Sequence, residues 1–152
     1  MIRLATKEDE EQLLHICYKF FLTTNHNDLT WDRQKVITLI RSFTGEQGKI
    51  FLIAEDEYGN IISCLAGFII DHLFATNKIA YEILWYVDQE FKRSKDVIKI
   101  LKAYELWAKK SGCTHLSMGN RRGVDDSKED ALERYYLRNG FKIIETVYKK
   151  KL

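Results

Sequence analysis

Apolar and polar positions follow two different periods along this chain, and the changes of period mark out its elements. Residues 80–87 (AYEILWYV) form a near-continuous apolar run rich in aromatic and β-branched side chains. Such a run predicts a strand covered on both faces. One charge, Glu82, interrupts it. Asp88, Gln89 and Glu90 come next, then Phe91-Lys92-Arg93-Ser94-Lys95. From Val97 the period becomes helical. Val97, Ile100, Leu101, Tyr104 and Ala108 share one face, and Lys95, Lys99, Lys102, Glu105 and Lys109 lie on the other. Gly112 ends a helix predicted over 97–111.

The same reading covers the rest. Residues 2–5 predict a short strand, with Thr6 capping a helix whose apolar stripe is Leu13, Leu14, Cys17, Tyr18 and Phe21. After a polar loop at 23–28, Thr30 is the expected cap of a second helix carrying Val36, Ile37, Leu39, Ile40 and Phe43. Strands are predicted at 50–54 and 61–70, joined by the turn Glu57-Tyr58-Gly59-Asn60. Residues 113–118 predict a further strand and 120–127 a polar loop. A helix carrying Ala131, Leu132, Tyr135 and Tyr136 is stopped by Asn139-Gly140. Residues 141–148 (FKIIETVY) predict a last strand before a lysine tail. The order β-α-α-β-β-β-α-β-α-β is α/β, with a mixed sheet and helices on both faces.

At 152 residues, 45% hydrophobic and 30% charged, this is expected to be one globular domain. The formal charge of +2 points to no nucleic-acid partner. No apolar stretch is long enough to span a membrane, and the N-terminus lacks a signal-peptide run. Cys17, Cys64 and Cys113 are isolated and odd in number, in apolar segments. Reduced thiols in a cytoplasm are the expectation, and no Cys/His spacing suggests a metal.

Two features carry chemistry. The basic loop feeding the helix after 95 is a candidate anion site, because the first N–H groups of a helix have no partner within it. Glu82, alone among apolar neighbours and expected on one strand face with Leu84 and Tyr86, is a candidate base. The alternative is a carboxylate paired with a lysine or arginine of a neighbouring strand. Asp71 and His72 are further candidate bases. Arg121 and Arg122 are either anion ligands or a solvated loop.

This order of elements and several local phrases resemble the GNAT superfamily of acyl-CoA N-acyltransferases, over residues 2–148. IRLATKEDEEQLLHI resembles its opening strand and helix. YVDQEFKRSKDVIKILKAYELWAKKSGC resembles its central strand, phosphate-cradling loop and helix. ERYYLRNGF resembles its late helix. The layout is most similar to short single-domain members encoded by bacteriophages. The resemblance implies a mostly antiparallel mixed sheet, acetyl-CoA as acyl donor, an amine on a small molecule or protein as acceptor, and a monomer or homodimer without metal.

It also implies roles. Glu82 would take the amine proton, directly or through a water, and Tyr136 would protonate the leaving thiolate. Backbone N–H groups of Tyr86 and Val87 would face the oxyanion and the pantetheine arm, and Asn120 would bond that arm. The family loop reads Gln or Arg, two residues, Gly, one residue, then Gly or Ala. Here it is Arg93-Ser94-Lys95-Asp96-Val97-Ile98, which keeps the arginine and loses both small positions. An Ile98 side chain turned into the core would leave its N–H to the ligand. Asp96 repels a pyrophosphate by about 1–4 kcal/mol in a partly wet site, against which Lys92, Arg93 and Lys95 stand. Two readings follow: an N-acetyltransferase using direct transfer, or a non-catalytic binding or inhibitory module on the same fold with a degenerate phosphate loop.

Overall fold

The computed structural model describes residues 1–24, 28–91, 95–120 and 131–152, with 95–97 as backbone only. The chain divides into two compact units, Met1–Gly119 and Asn120–Leu152. The first unit holds β1 (Ile2–Leu4), α1 (Glu10–Thr23), α2 (Arg33–Gly45), β2 (Lys49–Glu55), β3 (Ile61–Asp71), β4 (Lys78–Val87), α3 (Lys95–Lys110) and β5 (His115–Ser117). The second holds α4 (Ala131–Arg138).

The strands form one sheet in the order β1-β2-β3-β4-β5. The first three pairings are antiparallel and the last, β4 with β5, is parallel. That parallel pair is reached through α3, as a parallel connection requires a crossover. The architecture is the expected mixed, mostly antiparallel sheet.

Side chains alternate across the strands, so the sheet has two apolar faces. Phe51, Ile53, Cys64, Ala66 and Leu84 pack with Leu13, Cys17, Ile37, Ile40 and Phe43 of α1 and α2. On the other face Ile50, Leu52 and Leu65 are buried under α3, which turns Ile100, Leu101, Tyr104 and Ala108 inward. Each fully buried side chain of this size contributes about 1.5–3 kcal/mol.

Several local features differ from expectation. Asp32, not Thr30, caps α2, its Oδ1 accepting from the Lys35 N–H at 3.0 Å. Thr6 is a cap as expected, of a 3-10 turn at Lys7–Asp9 that leads straight into α1. There the Asp9 carboxylate accepts from the Thr6 N–H at 2.7 Å and from the Arg3 guanidinium at 2.8 and 2.9 Å. Arg3 also donates to Glu55, which links β1, β2 and the start of α1. α3 begins two residues before the predicted 97.

The strand predicted at 141–148 is not formed. Ile143, Ile144, Val147 and Tyr148 are exposed. The run Ile143-Ile144 breaks the two-residue alternation, and no neighbouring strand pairs with this segment among the described residues.

Candidate functional site

The site begins where two strands part. β4 and β5 pair over only Ile79–Tyr81 and His115–Ser117. Beyond Tyr81 the second half of β4 has β3 as its one strand neighbour among the described residues. A strand edge so exposed presents a row of main-chain hydrogen-bonding groups.

Glu82 stands at the point of divergence, half-buried. Its Oε2 accepts from the Gly119 N–H at 2.8 Å, which ties β4 to the chain just past β5. A β-carbon at Gly119 would lie 3.3 Å from that oxygen, so the close approach suits glycine.

The face it occupies corrects the strand reading. The β3–β4 register shifts between Ala66 and Gly67, where Leu84 opposes Ala66 and Glu82 opposes Gly67. Ile83 is the extra residue of this bulge. Leu84 and Tyr86 therefore face α1 and α2, while Glu82 shares the α3 face with Gly67, over which the Tyr104 phenol sits. Strict alternation would have put all three on one side.

The ladder also sorts the main-chain donors. The Asp88 N–H donates to the Ile62 carbonyl at 2.9 Å. In an antiparallel ladder hydrogen-bonded pairs alternate with non-bonded ones. Cys64 with Tyr86 is then a bonded pair, and Leu65 with Trp85 and Ser63 with Val87 are not. The Tyr86 N–H points into the ladder with β3. Those of Trp85 and Val87 point to the edge that β5 has left. The Tyr86 carbonyl accepts from Ser63 Oγ at 2.9 Å. Past the strand, Lys19 of α1 reaches Asp88 at 3.7 Å.

Of the loop residues, Arg93 and Ser94 lie outside the described residues. Lys95, Asp96, Val97 and Ile98 form the first turn of α3, whose N–H groups lack intrahelical partners. Ile98 is 42% exposed, so its side chain does not enter the core as expected. Asn120, directly after Gly119, is half-buried. Arg121 and Arg122 fall outside the described residues.

Asp71, the exposed last residue of β3, pairs with Lys78, four residues before Glu82 on β4 and roughly 13 Å along the strand, and His72 follows it in an exposed turn. His72 Nδ1 accepts from the Phe74 N–H, so this histidine serves its own turn.

In the second unit Tyr136 is buried. It sits where α4 ends on Gly140, which has φ +83°. The Phe141 N–H donates back to the Tyr136 carbonyl and the Gly140 N–H to that of Leu137. The Phe141 ring packs 5.0 Å from that of Tyr136. This is the bond pattern and apolar contact of a Schellman ending, and it fixes the tyrosine's backbone.

All three cysteines have raised thiol pKa values. Burial pushes Cys17 up to about 12 and Cys64 well above its ordinary value, and raises Cys113. A thiol so held is a poor nucleophile. No group of three or more metal-binding side chains occurs among the described residues, nor any helix there long and apolar enough to cross a membrane.

Reading the sequence missed Gly119 and Tyr104 as neighbours of Glu82. Tyr104 lies on the apolar face of its helix, as the periodicity predicts, and that pattern hides its hydroxyl. Nothing in the sequence marks Gly119 except that it follows a strand.

Comparison with known proteins gives the chain's family and fold. The acetyltransferase (GNAT) family matches residues 11–141. No curated protein matches the chain. Among solved structures, a transcriptional regulator from Bacillus halodurans C-125 superposes with a TM-score of 0.77 at 18% identity, covering 100% of this chain and 99% of its own. The aminoglycoside antibiotic 6'-N-acetyltransferase AAC(6')-Ih from Acinetobacter baumannii gives 0.74 at 18%, with 100% and 97% covered. A Trypanosoma brucei acetyltransferase gives 0.71 at 12%, with 100% and 99% covered. At these identities the superpositions establish a shared fold, and the family match goes further: this chain belongs to the acetyltransferase (GNAT) family, the acyl-CoA N-acyltransferases.

Proposed function

We propose that this protein moves an acetyl group from acetyl-CoA directly to a primary amine. One observation carries the reading: the sole carboxylate on β4, Glu82, is held by the Gly119 N–H at the point where β4 and β5 part. An amine near neutral pH is mostly protonated and not nucleophilic. Glu82 takes its proton, directly or through a water. The freed nitrogen adds to the thioester carbonyl, and the C–S bond breaks as the tetrahedral intermediate collapses. Tyr136 gives the departing thiolate its proton, as the family resemblance implies. The amide nitrogen then gives its second proton to the Tyr136 phenolate, Glu82 returns its own to water, and CoA leaves as the thiol.

The main chain supplies the rest. The Val87 N–H, directed away from β3, is the better placed of the two expected donors, since that of Tyr86 is directed into the ladder. The first-turn N–H groups of α3, from Lys95, Asp96, Val97 and Ile98, together with Arg93 and Ser94, are proposed to cradle the pyrophosphate. Asn120 is proposed to bond the pantetheine arm. The high thiol pKa values support direct transfer over a cysteinyl intermediate.

The acceptor is an amine on a small molecule or a protein. Aminoglycosides are a first class to assay, since a protein of the same fold acetylates them. The family match runs across both compact units, which supports their working as one domain.

Melting curves with and without acetyl-CoA test the donor. A ligand at about 100 times its dissociation constant adds roughly 2.7 kcal/mol, a rise of several degrees at this size. An unchanged melting temperature at millimolar acetyl-CoA would overturn the reading.

A further inference from the structure

The α3 face of the sheet holds a polar group that the proposed reaction leaves unused. Tyr104 is fully buried, and its hydroxyl has no hydrogen-bond partner among the described residues. Buried hydroxyls normally have one. The ring is held by Trp107, stacked at 5.5 Å and 23°. Its oxygen lies 2.3 Å from where a β-carbon on Gly67 would be. Gly67 stands opposite Glu82. On one sheet face, opposite β-carbons are about 5 Å apart. The bulge at Ile83 therefore turns the Glu82 carboxylate onto the face where the orphan hydroxyl waits.

We propose that Tyr104 is a positioning residue for Glu82, donating its O–H to the carboxylate, directly after a small side-chain swing or through one water. The inference rests on Glu82 being the base. The hydrogen bond adds to the one from Gly119 and keeps the carboxylate charged and turned toward the acceptor amine. Gly67 is then the residue that lets the phenol reach the sheet.

Burial first, then the charge of Glu82, raises the Tyr104 phenol, so it stays a donor at working pH. The titratable groups around it are Glu82 from β4 and Cys113 from the turn after α3, with Lys78 beside Cys113. From β2 and β3 come Ile50, Leu52, Ser63, Leu65 and Gly67, none of which titrates.

The test is kcat/KM against pH for wild type, Tyr104→Phe and Glu82→Gln, with melting curves for each. Glu82→Gln should abolish the acid limb of the profile. Tyr104→Phe should keep that limb and move it up by about one pH unit, so that kcat/KM below it falls about tenfold. KM for acetyl-CoA should not change. The melting temperature should fall by no more than a few degrees, because phenylalanine keeps the ring's packing and only the hydrogen bond is lost. Site-specific fluorotyrosine at 104, a stronger donor of the same shape, should move the limb the other way. If Glu82→Gln removes the limb and neither change at 104 moves it, the inference fails alone, whatever the melting temperature does. If Glu82→Gln leaves the limb in place, the assignment of the base fails first and the role of Tyr104 with it.

Discussion

The Gly119 N–H donates to Glu82 Oε2 at 2.8 Å, so the chain leaving β5 stays fastened to the one carboxylate on β4. Glutamine at 82 offers the same carbonyl-type acceptor and cannot take a proton. Glu82→Gln should lower kcat by about 10²–10⁴-fold while the melting temperature and its rise with acetyl-CoA persist. Unchanged kcat would remove Glu82 from the reaction.

Tyr136 combines two functions that one substitution can separate. Its ring meets Phe141 at 5.0 Å at the end of α4, and phenylalanine preserves that packing. Tyr136→Phe should therefore melt like wild type and turn over at least tenfold more slowly. Tyr136→Ala should also lose stability, by about 2–4 kcal/mol. Equal kcat for wild type and Tyr136→Phe would assign the proton to another donor.

Gly67 tests the packing of the α3 face. An alanine β-carbon would lie 2.3 Å from the Tyr104 hydroxyl and 2.7 Å from the Tyr81 carbonyl. Gly67→Ala should cost about 1–3 kcal/mol, read as a melting temperature several degrees lower. Removing the nearest clashing atom with Tyr104→Phe should restore part of the loss. Simple additivity of the two changes would contradict the contact.

Asp9 gives a pH dependence. Its hydrogen bonds from Arg3, ahead of those from Thr6, hold its carboxyl at about 2, against 3.8 in an unfolded chain. The folded form thus binds the proton less readily. The stabilisation, about 2 kcal/mol, is present above about pH 4 and lost as the pH falls toward 2. Asp9→Asn should be less stable than wild type in urea at pH 6, and the gap should narrow steadily below pH 4. A constant gap from pH 6 to pH 2 would contradict the assignment.

The fold was legible where periodicity is strong. The apolar run 80–87 is the core of β4, and the stripe through Ile100, Leu101, Tyr104 and Ala108 is the buried face of α3. The chemistry was legible as far as the one carboxylate on that strand. What the sequence concealed are register effects. An extra residue at Ile83 leaves no local mark, yet it moves Glu82 to the opposite face. Whether an N–H of β4 points to β3 or away depends on which pairs are hydrogen-bonded, a matter of partner rather than residue type. The Arg3–Asp9–Glu55 cluster joins residues up to 52 apart in sequence, and no pattern in one segment announces it. Residues 141–148 carry strand-forming side chains without an adjoining strand, and propensity alone does not make a ladder.

The three-residue pairing of β4 with β5 has a consequence for how tolerant such a site is to change. A pantetheine arm carries two amides, and an unzipped edge can receive them as it would one more strand. Recognition of that kind addresses the polypeptide scaffold, which every residue shares. Under the assignment proposed here, most side chains along this edge are free to drift over evolution without loosening the grip on the donor.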